Sequence, residues 1–246
     1  MKTKLSTLMA MVLLLLFANV NTEATKAHPE PLVGLLETGE FHGEEVSART
    51  GEKWLGLHVT DQHSTLLKYQ LTVESVHDPI TDHGANEKTG KKVSVDLPLE
   101  PLFLVKSGKI LRGGPVTTVF KQAADYEKSL ERVSPHNLKL AETTYVLKVV
   151  GSEDGAKCSE HSFPKNAKLV LVSGDVEQVL YSIDGCGNEP YWYLLWAGDL
   201  DRDGKLDLYV SVTQHYNVSE RKLFLSSRAK RRQLVAEVAE FVTSGC

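Results

Sequence analysis

The chain has 246 residues, a hydrophobic fraction of 41% and a formal net charge of −4. That length and apolar content suffice for a real core, as one β-rich domain or two small ones. The mild acidity argues against nucleic acid as the main partner.

The first elements concern targeting. Lys2 and Lys4 precede an apolar run over residues 8–18, and Thr22-Glu23-Ala24 supplies small residues at a cleavage position. This predicts a signal peptide over residues 1–24 and a secreted or periplasmic chain. The apolar run is too short to span a bilayer, so no transmembrane segment is expected.

From there the pattern is mainly β. Strands are expected at residues 32–36, 46–49 and 54–59, with a turn over residues 39–43. Leu67, Tyr69, Leu71 and Val73 alternate with Lys68, Gln70, Thr72 and Glu74, the mark of a strand with one wet face. Further strands are expected at residues 93–95, 102–105 and 116–120, with Lys106-Ser107-Gly108-Lys109 as a hairpin turn. Pro98, Pro101 and Pro115 stand at strand starts, where a missing donor does no harm. Leu111-Arg112-Gly113-Gly114-Pro115 reads as a turn. One helix is expected, over residues 122–133, ended by Pro135.

Strands resume at residues 138–140 and 145–150. Gly151-Ser152-Glu153-Asp154-Gly155 is the candidate boundary between an N-terminal β region, residues 25–150, and a C-terminal one, residues 151–246. A hairpin is expected over residues 169–183, then strands at 191–196, 206–212 and 221–226. Residues 234–242 fit a helix as well as a strand. The fold class expected is antiparallel β sheets, sandwich or barrel-like, with little helix.

The richest motif is Asp199-Leu200-Asp201-Arg202-Asp203-Gly204-Lys205-Leu206-Asp207. A hard divalent cation takes six to eight oxygens, and a tight loop supplies them from alternate residues. Asp199, Asp201 and Asp203 are candidate side-chain ligands, Lys205 a backbone-carbonyl ligand, and Asp207 the ninth-place ligand. Gly204 permits the φ > 0 turn, and Arg202 and Lys205 are the cations placed to offset the carboxylates. The twelfth position is Val210, where an EF-hand has its bidentate glutamate.

Residues 198–208, followed by Lys222-Leu223-Phe224-Leu225-Ser226 and Val238-Ala239-Glu240-Phe241, resemble one unit of the FG-GAP or VCBS-type repeat. The resemblance covers about the last fifth of the chain, as a single copy. It implies a Ca2+ loop joining two strands, a third and fourth strand completing the unit, and a strand over residues 234–242.

Three cysteines leave one unpaired. If the last four strands run up and down, Cys186 and Cys246 fall at one end of the sheet. That pairing is expected ahead of Cys158 with Cys186. His77, Asp78, Asp82 and His83 crowd one loop, and His58 and His63 flank Asp61. They are candidates for a metal-dependent hydrolytic site, against a surface loop of Asx turns around Pro79. The sequence has no G-x-S-x-G elbow, and Leu111–Pro115 lacks the helix that a phosphate loop needs.

Arg221, Lys222, Arg228, Lys230, Arg231 and Arg232 form the one basic concentration, suited to a cell-surface polymer or to a solubilising hairpin tip. Tyr191 and Tyr193 are expected on one face of their strand, and Trp192 and Trp196 on the other. The functional expectation is an exported, non-enzymatic calcium-binding module for a cell-surface polymer or protein partner. The alternative is a secreted hydrolase using His77 to His83.

Overall fold

The structure is a computed structural model that describes residues 33–60, 63–121, 130, 134–152, 155–158 and 163–245. The expected signal peptide, Asp61, Cys246 and the expected helix other than Leu130 lie outside these residues. Leu130 itself is helical and fully buried.

The described chain is mainly β, in antiparallel sheets. Its first strands are β1 (Gly34–Leu36), β2 (Gly39–Phe41), β3 (Lys53–Val59), β4 (Ser64–Val76), β5 (Gly90–Val95), β6 (Leu104–Lys106) and β7 (Gly114–Lys121). Two hairpins follow, β8 (His136–Leu140) with β9 (Thr143–Val150) and β10 (Lys168–Ser173) with β11 (Val176–Ser182). Last come β12 (Tyr193–Asp199), β13 (Asp207–Val212), β14 (Val218–Leu225) and β15 (Ala236–Ser244). The segment that fits either helix or strand is thus the strand β15, because Phe241 faces the core and pairs edge-on with Phe41 at 5.1 Å.

Eleven strands share one sheet in the order β1-β6-β3-β4-β7-β12-β13-β14-β15, with β5 and β2 continuing from the far part of β4. The sheet curls until β1 touches β15, so it nearly closes into a barrel. The other four strands form a second sheet, β11-β10-β9-β8. Both sheets take strands from either side of residue 150.

Two apolar cores result. Leu57, Leu66, Tyr69, Phe103, Trp196 and Tyr209 fill the curl of the large sheet. Leu147, Leu169, Leu171, Trp192, Leu208 and Val210 are packed between its outer face and the small sheet. β13 lies between the two, and all six of its residues are buried. It therefore reads as a near-continuous apolar run, as a strand covered on both faces does.

β4 keeps the alternation expected of it, with Tyr69 and Leu71 inside and Lys68, Gln70, Thr72 and Glu74 outside. Several other expectations are corrected. Residues 39–41, expected as a turn, are β2 on the edge of β5, and residues 46–49 form no strand. Val46 and Ala48 are nonetheless buried, and burial without pairing gave that stretch its strand-like composition. Residues 106–109 do not close a hairpin, because β6 inserts between β1 and β3 while β7 crosses to β4.

A bulge in β12 between Leu194 and Trp196 breaks the period of two. Trp192 therefore enters the core under the small sheet while Trp196 enters the barrel core. The two tryptophans do not share a face. The six basic residues also separate. Arg221 binds Glu37 at 3.1 Å, and Lys222, nearly buried, binds Glu240 at 2.8 Å and Glu237 at 3.2 Å. Arg228, Lys230, Arg231 and Arg232 remain exposed in the β14–β15 connection.

The expected Cys186–Cys246 pairing is corrected as well. Cys158 and Cys186 stand at disulfide distance, S–S 2.20 Å with Cα atoms 5.3 Å apart. The starts of β12 and the end of β15 do lie at one end of the sheet, but β13 and β14 stand between them. Three strand spacings come to about 14 Å, beyond the reach of a disulfide. Cys158 is instead carried to Cys186 by backbone bonds from Asn166 to Gly185 and from Ile183 to Ala167. With 28 residues of separation, replacing Cys158 by Ser is expected to cost about 3 kcal/mol, read from urea unfolding without reductant.

Candidate metal centre

The aspartate loop joins β12 to β13 at one end of the large sheet. Gly198 precedes it for a steric reason: a Cβ there would stand 2.0 Å from the Thr117 carbonyl oxygen of β7. The loop is pinned at both feet. Leu200 is buried in the barrel core and Leu206 in the core under the small sheet. Gly204 turns at φ +83°, as the motif requires.

Within this frame one carboxylate oxygen each from Asp199, Asp201 and Asp207 lies within 4.8 Å of the others, an arrangement that could hold a metal ion. Asp207 is the foundation of the site. It is fully buried, and its Oδ2 accepts from the Leu200 amide at 2.7 Å and the Asp201 amide at 3.3 Å. Its Oδ1 accepts from the Ser226 amide at 2.8 Å and the Ser226 hydroxyl at 3.0 Å. Asp199 accepts from the amides of Asp203 and Gly204, each at 3.0 Å, which rolls the loop around it.

Asp201 is held by the Ser227 hydroxyl through Oδ2, while its Oδ1 is buried and has no hydrogen-bond partner. Asp203 is not among the three converging carboxylates. Its Oδ1 accepts from the Lys205 amide at 2.9 Å and from the Ser226 hydroxyl at 2.9 Å.

Burial, and then the charge of Asp201, push the Asp207 carboxyl up to about 8 in spite of its donors. Burial also raises Asp201, with Asp203 and Asp199 adding to it against the Ser227 hydroxyl. The electrostatics expected from the sequence are corrected at Arg202. Its guanidinium donates to the Arg112 and Pro115 carbonyls, each at 2.9 Å, from a backbone held at φ +64°. It straps the start of β7 and the residues just before it, and no ion pair with the aspartates is formed among the described residues. The cluster is thus a pocket of unbalanced negative charge in a poorly solvated place, where a proton or a cation is favoured.

Ser226 and Ser227 did not stand out in the sequence as site residues. The signal lay in the pairing: Leu208 faces Phe224, so an antiparallel register runs residue 226 up against the loop. Two hydroxyls at the end of that strand meet three of the four aspartates.

The His/Asp loop between β4 and β5 is organised around itself. Asp78 accepts from the Ile80 and Thr81 amides at 3.0 and 3.3 Å and contacts His42 Nδ1 at 2.5 Å. Asp82 accepts from the Asp78 amide at 2.8 Å and from Thr89, and its Oδ2 lies 3.5 Å from His77 Nδ1. The hydrogen bond from His42 holds the Asp78 carboxyl well below its ordinary range and raises His42. Among the described residues this loop brings no three metal-ligating groups together, while the aspartate loop does. His58 turns toward the Glu100 carbonyl, at 3.5 Å.

No helix among the described residues is long and apolar enough to cross a membrane. No protein-family model, no curated protein and no solved structure matches the chain.

Proposed function

We propose that the chain is a calcium-binding β-protein that acts outside the cytoplasm as a binding or scaffold module, without catalysis of its own. The observation that carries this reading is Asp201 Oδ1, a buried carboxylate oxygen without a hydrogen-bond partner, on a side chain that converges with those of Asp199 and Asp207. A buried unpaired acceptor is costly, and a cation among the three would satisfy it while cancelling their repulsion. All three ligands are oxygens, so a hard ion is favoured over one that prefers nitrogen or sulfur.

Calcium is favoured over magnesium by the ligand supply. The spacing offers up to five protein oxygens, from Asp199, Asp201, Asp203, Lys205 and Asp207, on a short adaptable loop. Magnesium usually keeps most of its water. The Ca2+ loop of an FG-GAP or VCBS-type unit has the same residue spacing and joins two strands, as this loop does. The ion's role is structural, fixing β12 against β13 and holding the Ser226–Arg228 turn to both. A disulfide-distance cysteine pair is in keeping with an oxidising compartment.

Extracellular modules bind calcium with dissociation constants near 0.1 to 1 mM, so about 1 mM calcium adds roughly 0.4 to 1.4 kcal/mol. The melting temperature is expected to rise by about 1 to 4 °C on going from chelator to calcium. Asp199→Ala, which leaves the Asp207 bonds in place, is expected to fold and to lose that rise. A parent melting curve that is the same with chelator and with calcium overturns the proposal.

A further inference from the structure

The segment that Arg202 straps also borders a groove. Strands β3, β4 and β6 and the residues 107–113 frame this groove of about 810 Å³, with a mainly apolar lining in which Leu55 is partly exposed over the buried Trp54, Val105 and Leu111. Lys53, Lys68, Lys106 and Arg112 stand around it, and no aspartate or glutamate lines it. Lys106 is bound to Glu52 at 2.9 Å, but Lys53, Lys68 and Arg112 have no ion-pair partner among the described residues. In a chain of net charge −4, three uncompensated cations around one apolar concavity are a local reversal of sign.

The backbone that carries Arg112 is already fixed, because Arg202 donates to the carbonyls of Arg112 and Pro115. Little ordering is left for a ligand to impose on that wall.

We infer that this groove binds a small amphipathic anion, a fatty carboxylate whose chain lies against the apolar lining while its head meets Lys53, Lys68 and Arg112. The concavity is of the size that takes a single small molecule. The methylene stems of Lys53 and Lys68 extend the apolar wall while their ammonium groups stay at the rim. The charge excludes a cationic amphiphile and disfavours a neutral one. This inference stands independently of the calcium reading.

The test is isothermal titration of the full chain with laurate below its micelle concentration, at low salt, with dodecyl maltoside as the neutral comparison. Laurate is expected to saturate a single site and to bind at least tenfold more tightly than the maltoside. The triple variant Lys53→Gln, Lys68→Gln, Arg112→Gln changes exposed positions and is expected to bind laurate at least tenfold more weakly with an unchanged melting temperature. Should it melt lower than the parent, Lys68→Gln alone carries the comparison, with about a threefold loss expected. Absence of saturable heat with laurate overturns the inference. So does equal binding of the two amphiphiles, or parent affinity in the variants.

Discussion

Replacing Asp207 by alanine is expected to destabilise the fold by about 4 kcal/mol, measured by urea denaturation in chelator near pH 6. The side chain receives four donors in a place without solvent: the amides of Leu200, Asp201 and Ser226 and the Ser226 hydroxyl. An orphaned buried donor costs about 1 to 3 kcal/mol. The Ser226 hydroxyl keeps Asp203 as an acceptor, which returns part of that sum. Asp207→Asn retains one acceptor oxygen and is expected to cost about half as much. A midpoint for Asp207→Ala within error of the parent would show that the carboxylate does not organise the loop. Asp199→Ala and Asp207→Ala then separate two roles, since the first removes a ligand and the second also removes the framework that holds the loop.

The second large effect is a calcium response that depends on pH. The folded-state value of Asp207, about 8, lies above its ordinary value of 3.8, so the folded chain holds a proton there that the unfolded chain releases. The stabilisation from that proton is complete below about pH 4 and is lost as pH rises toward 8, at up to about 1.4 kcal/mol per pH unit. The upward shift of Asp201 acts in the same direction. In chelator, stability is therefore expected to fall between pH 5.5 and 8. A cation takes the place of the proton and requires the ionised ligands, so calcium should slow or cancel that fall. The melting shift produced by 1 mM calcium should grow from near zero at pH 5 to several degrees at pH 8. Asp207→Asn, which has no proton to lose, gives the background from all other groups. A calcium shift of equal size at both pH values would refute this linkage.

Much of the barrel was legible from local patterns. β3, β4, β7 and the three strands from β12 to β14 follow apolar runs and turn residues in the sequence, and the aspartate loop follows its spacing. What escaped was set by contacts remote in sequence. Residues 39–41 become a strand only because β5, some fifty residues later, offers an edge. The cysteine pairing depends on the lateral separation of the strands as well as on their direction, and the up-and-down order carries only the direction. The bulge at Leu194–Trp196 has no signature in composition, yet it decides which core each tryptophan enters. At the site, three of the motif's four carboxylates converge, and Asp203 is not among them. The two serines and the outward turn of Arg202 depend on which strands and segments lie alongside, and a spacing rule does not see neighbours.

The contact between β1 and β15 closes the large sheet with strands from distant parts of the chain. A chain without β14 and β15 owns only an open, unsealed wall. Its hydrophobic lining has no lid until that hairpin is in place. Joining ends so distant along the chain is slow. The barrel is therefore expected to close only once β15 is available, and a truncation of β15 should leave a chain prone to aggregate rather than a smaller stable protein.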